Sequence, residues 1–175
     1  METAKAALTI RSATVADAHA IAEIHVAGWR VAYRGLMPDA VIEAISVDQR
    51  RGFWKGMLSK PGVGKVAVGE SDGAMVGFCS YGPSRDEDDP EVAEIYALYV
   101  RPGMWRQGWG RSLCAHAEHE AQAREHGAMT LWVVKGNELA RRFYERLGYA
   151  ADGAERTDHK LTGSPFVEVR YRKRF

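Results

Sequence analysis

Val100-Arg-Pro-Gly-Met-Trp-Arg-Gln-Gly-Trp-Gly-Arg111, continued by Ser112 and Leu113, is the stretch on which the fold turns. An apolar run ends at Val100, Pro102 and Gly103 break it, and Gly108 and Gly110 bracket Trp109 where a helical pattern begins. Backbone N–H groups in the first turn of a helix have no intrahelical acceptor and sit at the positive end of its dipole. An anion fits there, and glycine lets the backbone approach it closely. Arg106 and Arg111 add positive charge, so the expected ligand carries phosphate. The mononucleotide pattern Gly-x-x-x-x-Gly-Lys-Ser/Thr is missing, as is the dinucleotide pattern Gly-x-Gly-x-x-Gly. On the glycine spacing alone, a tight strand-to-helix turn explains the segment equally well.

Working outward, Val92 to Val100 reads as the strand before this turn, and the helix after it runs to about Glu125 with Gly127 as its terminating glycine. Met129 to Val134 reads as a buried strand. A strand, a helix and a strand in that order imply a parallel, right-handed crossover. A helix from Asn137 or Glu138 follows, with Ala140, Phe143, Tyr144 and Leu147 on one face and Gly148 at its end. Tyr149–Arg156 and Phe166–Arg172 are the last strands. Upstream, Leu8–Arg11 is a short strand, and Thr14 and Asp17 cap a helix reaching about Tyr33. Pro38 and Asp39 open a short helix, and Ser46 caps another from Val47 to about Leu58. Lys65–Glu70 and Ala74–Tyr81 form a hairpin around Ser71-Asp72-Gly73. Gly82 to Glu91, acidic and rich in turn residues, reads as an exposed loop. The expectation is one α/β domain spanning 1–175, with a mixed, mostly antiparallel sheet flanked by helices around a central parallel β-α-β unit.

At this point the chain resembles the GNAT (GCN5-related) N-acetyltransferase superfamily. That family's first signature is a strand, a short turn, and Arg/Gln-x-x-Gly-x-Gly/Ala opening a helix, and Ala97-Leu-Tyr-Val100 through Leu113 is laid out this way. The second resembles Asn-x-x-Ala-x-x-Phe-Tyr-x-x-x-Gly-Phe/Tyr, which Asn137-Glu-Leu-Ala-Arg-Arg-Phe-Tyr-Glu-Arg-Leu-Gly-Tyr149 matches at every fixed position. The resemblance spans roughly 66–172 and is strongest over 94–149. More loosely, Trp29 and Tyr33–Pro38 look like a substrate-side segment of the family. Trp105 stands where the first signature has Arg or Gln, so one side-chain phosphate contact is not carried over.

The resemblance implies acetyl-CoA as cosubstrate, held by Arg106, Gln107, Gly108, Trp109, Gly110 and Arg111, by Leu98, Tyr99 and Val100 along the strand, and by Asn137 and Tyr144. Leu98 and Val100 would bond the pantetheine arm through their backbone, or serve only as sheet core. Asn137 would bond the same arm, or act as a plain helix cap. Tyr144 is the candidate acid for the CoA thiolate, with core packing as the other reading. Glu94, charged within an apolar run, is the candidate base; a residue at the wet start of a strand is the alternative. Tyr96 shares its face and, with Trp29 and Tyr33, is a candidate for the acceptor site. The expected activity is transfer of acetyl to a primary amine of a small molecule or peptide. The alternatives are a protein N-terminal or lysine acetyltransferase, or an acyl-CoA sensor without turnover.

Composition bounds the rest. The 175 residues carry 24 basic and 23 acidic side chains, a net charge of +1, so no global field draws the chain to nucleic acid or membrane. No apolar run approaches a membrane span, and Met1 to Asp17 lacks a signal-like core. Cys79 and Cys114 make no disulfide framework, and a cytoplasmic protein with reduced thiols is expected. Neither cysteine has a sequence-local partner that would activate it, so no acyl-cysteine is expected. His116, His119 and His126 lack a third ligand at metal spacing, so no metal is expected. A homodimer is compatible with the chain, though no residue argues for it.

Overall fold

The computed structural model describes residues 8–60, 62, 64–159 and 165–175; the part of the leader reading that rests on Met1 to Ala7 lies outside them. The strands are β1 (Thr9–Ser12), β2 (Lys65–Ser71), β3 (Ala74–Pro83), β4 (Ala93–Val100), β5 (Ala128–Val134), β6 (Ala150–Asp158) and β7 (Phe166–Arg174). The α-helices are α1 (Ala18–Ala32), α2 (Asp39–Glu43), α3 (Val47–Ser59), α4 (Trp109–Gln122) and α5 (Glu138–Arg146). The strands form one seven-stranded sheet in the order β1-β2-β3-β4-β5-β7-β6. All neighbours are antiparallel except β4 and β5, the pair joined through α4. The mixed sheet with its parallel centre is therefore as the sequence implied.

Each face of the sheet is covered because the strands alternate. On one face, Leu113, Cys114, Ala117 and Ala121 of α4 and Tyr144 of α5 pack on Cys79, Ile95, Met129 and Leu131. On the other, Ile21 and Ile24 of α1 and Trp54 of α3 pack on Val68, Met75 and Phe78. A third cluster joins Val26, Trp29, Met37, Ile42 and Ile45 to Val134 at the end of β5. Burying each large side chain contributes about 1.5–3 kcal/mol.

Two irregularities at the centre position the site. Ser80 opposes Ala97 while Tyr81 opposes Ile95, which leaves Tyr96 as an extra residue on β4. A bulge of this kind bends its strand and re-aims side chains. Accordingly Ala93 and Ile95 belong to the α4 face, but beyond the bulge it is Leu98 and Val100 that pack there, while Ala97 and Tyr99 pack towards α1 and α3. Second, β4 and β5 are paired only from Ala93–Ile95 to Met129–Leu131, although both strands run further. Beyond Ile95 they diverge.

Three expectations need correction. The first helical segment opens as a 3-10 turn, Val15–Asp17, before α1 begins. Helix α4 ends at Gln122, and it is Glu125, at φ 65°, that takes the left-handed conformation rather than Gly127. The loop after β3 is exposed at Arg85, Glu87, Asp88, Pro90 and Glu91, as read, but its aspartates are ion-paired rather than simply solvated. It folds across β5 and β7 because Arg170 binds Asp86 at 3.2 Å, Asp88 at 2.9 Å and Asp152 at 2.7 Å. Arg172 adds ion pairs to Asp89 and Asp152, and the Trp132 indole donates to Asp86.

Candidate active site

The divergence of β4 and β5 opens a backbone edge. Arg101 N–H bonds Val76 on β3, so by strand alternation Val100 and Leu98 turn their N–H and C=O groups away from β3, into the opening. The Val100 carbonyl is occupied by the Trp105 indole N–H at 2.7 Å. Trp105, the residue that departs from the family pattern, thus closes the end of this edge. The Val100 N–H and both Leu98 groups remain.

At the mouth of the opening lies the turn into α4. Arg106 has φ 62° and Gly108 φ 91°, so the backbone turns sharply twice before α4. Successive amides in such a conformation point into one concavity and favour an anion. The amides of Arg106 through Arg111 make no hydrogen bond to a described residue; the first helical bond is Ser112 N–H to Gly108 at 3.0 Å. A non-glycine residue at φ 62° is strained, and such strain clusters at functional sites. The two signature segments meet here, since a Cβ on Gly110 would lie 3.2 Å from the Phe143 ring. The residues therefore fit a diphosphate-bearing ligand: orphaned donors, a glycine where bulk is excluded, and Arg106 and Arg111 beside them.

Asn137 is buried and caps α5, its side-chain oxygen accepting from Ala140 N–H at 3.1 Å. Its amide nitrogen has no partner among the described residues, so capping leaves a donor free. Tyr144 is buried against Phe143 and Tyr149, and its hydroxyl has no hydrogen-bond partner among the described residues. Burial pushes its pKa well up, and neighbouring Cys114, Cys79 and Tyr33 act in the same direction. It is a neutral phenol at neutral pH, able to donate. From the opposite face come the phenols of Tyr33 and Tyr99, both raised chiefly by burial.

Glu94 is 0% exposed. Its carboxylate accepts from Arg85 at the backbone N–H (2.8 Å), Nε (3.2 Å) and Nη2 (2.5 Å). Arg85 also lies 4.3 Å over the Tyr96 ring, whose hydroxyl donates to the Pro83 carbonyl at 2.5 Å. Arg85 thus touches both Glu94 and Tyr96, which sequence reasoning had paired, but Arg85 itself was missed. A buried carboxylate demands a cation, and Arg85 was available nine residues upstream across the β3–β4 turn. Trp29 lies in the third core cluster rather than on an open surface, and its indole N–H is buried without a partner among the described residues. The same holds for the Trp109 indole at the start of α4.

Burial pushes the Cys114 thiol up to about 12 and Cys79 well above its usual value, so neither is a ready nucleophile. Among the described residues no group of three or more metal-ligating side chains converges, and no helix is long and apolar enough to cross a membrane.

Known proteins match this arrangement. YuaI of Bacillus subtilis (strain 168), an uncharacterized N-acetyltransferase, is 28% identical over 162 residues, covering 93% of this chain and 90% of that one. The L-methionine sulfoximine/L-methionine sulfone acetyltransferase of Salmonella typhimurium is 26% identical over 147 residues, 81% of this chain and 80% of that one. The crystal structure of the PaiA N-acetyltransferase from Thermoplasma acidophilum in complex with coenzyme A superposes with a TM-score of 0.74 at 20% identity, covering 97% of this chain and 99% of that one. The Acetyltransferase (GNAT) family matches residues 19–149. With its signature turn, its diverging strands and this match in agreement, the chain belongs to the GNAT family of acetyl-CoA-dependent N-acetyltransferases.

Proposed function

We propose that the protein acetylates the primary amine of a small molecule by direct attack on acetyl-CoA, with Tyr144 as acid and Glu94 as base. The observation that carries this reading is the Tyr144 phenol, buried in the core cluster of Ile95 and Leu131, the last β4–β5 pair, with no hydrogen-bond partner among the described residues. Acetyl-CoA supplies an acetyl group already activated as a thioester. The amides of Arg106 to Arg111 hold its phosphates, Leu98 and the Val100 N–H hold the arm as an added strand would, and the Asn137 amide nitrogen donates to it. Tyr144 gives its proton towards the departing sulfur, which as a thiolate is the better acceptor. Glu94 takes the proton of the attacking amine, directly or through one water. Tyr96 and Tyr33 border the acceptor, with Trp29 supporting them from beneath.

A small acceptor suits the flanking elements. The α1–α2 segment is tied to Val134 through Trp29 and Met37, and the loop after β3 is tied to β7 through Arg170. Held segments on both flanks suit a closed acceptor pocket, whereas a peptide needs an open trough. The Salmonella relative, named for acetylating methionine sulfoximine and sulfone, supports an acceptor of amino-acid size.

The test is thiol release from acetyl-CoA across a panel of primary amines, amino acids included, with Glu94→Gln alongside. Amine-dependent turnover, reduced about 100-fold or more in Glu94→Gln, is expected. Thermal stabilisation by acetyl-CoA with no turnover on any amine would leave only a sensor. Full activity in Glu94→Gln would remove Glu94 as base.

A further inference from the structure

We infer that the Arg85 side chain is a displaceable cap over Glu94, keeping water from the base until the acceptor is in place. The inference rests on the reading of Glu94 as base. A carboxylate has about four lone-pair directions. Here Oε2 accepts from Arg85 N and Nε, and Oε1 accepts from Nε and Nη2. With 0% exposure and these contacts, the lone-pair directions of Glu94 are taken, so the proton of an acceptor has no open approach to it. Something must leave, and the geometry singles out one group.

The Arg85 side chain is 55% exposed, while its partner is fully covered. Among the described residues its side-chain hydrogen bonds all go to Glu94. Its backbone, in contrast, is pinned on both sides. Ser84 N–H bonds Val92 at 2.8 Å, and the Asp86 carboxylate is held by Trp132 and Arg170. Tyr96, tied to Pro83, stays beneath as a flat platform over which the guanidinium can slide. The side chain can therefore swing into water while its own backbone N–H keeps Glu94 aimed. Removing it frees three of the four contacts at once.

The function of such a cap follows from chemistry. An uncovered carboxylate beside a thioester activates water as readily as an amine. Water oxygen would bond to the acetyl carbon as the C–S bond breaks. The water proton would pass to Glu94 and the sulfur would take one from Tyr144, so acetyl-CoA and water become acetate, free CoA thiol and one proton. Capping suppresses this loss. Arg85 is thus a positioning residue, acting through Glu94.

The test needs no acceptor. Thiol release from acetyl-CoA alone is measured for the parent, Arg85→Met, Arg85→Lys, Glu94→Gln and the Arg85→Met/Glu94→Gln double variant, with melting curves to establish folding. Arg85→Met should hydrolyse acetyl-CoA at least ~10-fold faster than the parent. Arg85→Lys, which restores a charged contact, should recover part of the suppression, and the double variant should lose the gain. In the arginine side-chain NMR spectrum, the parent's Arg85 Nε–H should exchange slowly with water and that protection should vanish in Glu94→Gln. A folded Arg85→Met with parental hydrolysis overturns the cap, even where Glu94→Gln still abolishes amine acetylation. A hydrolysis gain that survives in the double variant overturns it too, because water is then activated elsewhere. Loss of the base reading shows separately, as amine acetylation undiminished in Glu94→Gln.

Discussion

The two sides of the diverging strands are built from different materials. The proposed cofactor side is made of backbone: amides from Arg106 to Arg111, the free edge of β4, and glycines that keep side chains away. The proposed acceptor side is made of side chains, mostly held by charge: Arg85 on Glu94, and Arg170 and Arg172 on four aspartates, with a buried aromatic group around neutral His25. A backbone site depends on local conformation and tolerates most side-chain changes. A site assembled from ion pairs depends on residues far apart in the chain, and each loss uncovers a buried charge.

Changes on the acceptor side should accordingly harm stability, and changes on the cofactor side should harm affinity or rate. The sharpest case is Arg170→Leu. Arg170 is 7% exposed and is shared by Asp86, Asp88 and Asp152. Its loss should destabilise the fold by about 3 kcal/mol, read in urea unfolding, and should unpin the loop that carries Arg85. Unchanged stability would erase the contrast drawn here.

Tyr144→Phe removes one hydroxyl from the cofactor side. We expect kcat to fall about 100-fold, with stability and acetyl-CoA-induced thermal shift preserved. A large fall in melting temperature instead would reduce Tyr144 to core packing.

His25 offers a test by pH. Its Nδ1 accepts from the Trp54 indole at 3.1 Å, and burial lowers its pKa from 6.5 to about 3. The unfolded chain takes up this proton below about 6.5 and the folded chain does not. Stability is therefore complete above pH 6.5 and lost as pH falls towards 3, by about 1.4 kcal/mol per unit. Unfolding measured between pH 7 and 4 should show this slope, and His25→Gln should flatten it. Asp17, held near 2 chiefly by its hydrogen bond to Arg11, contributes only at lower pH.

The smallest effect is expected at Gly110→Ala. The added carbon would press on Phe143 at 3.2 Å, so α4 and α5 must part slightly. About 1 kcal/mol of strain, felt in the turn, should raise the KM for acetyl-CoA roughly 5-fold with kcat nearly unchanged. A changed kcat with normal KM would break the division between the two sides.

How much could be read beforehand follows the same division. The strand-turn-helix at Val100–Leu113, the cap at Asn137 and the partner segment at Phe143–Tyr144 lie within short windows, where period and glycine placement speak directly. The parallel β4–β5 pair followed from their connection through a helix. Arg85 was hidden because a charged residue in an acidic loop looks the same whether it is solvated or bound. The ion pairs that tie the exposed loop down were hidden for the same reason: its cations, Arg170 and Arg172, are more than eighty residues away.

Local periodicity and turn chemistry are carried by neighbouring residues, so element order, sheet type and the turn proposed to bind an anion belong to the primary structure. Which carboxylate is covered, which carbonyl Trp105 occupies, and where the bulge at Tyr96 turns β4 belong to the folded state. Each depends on burial and on contacts between distant segments, which exist only once hydrophobic packing has brought those segments together.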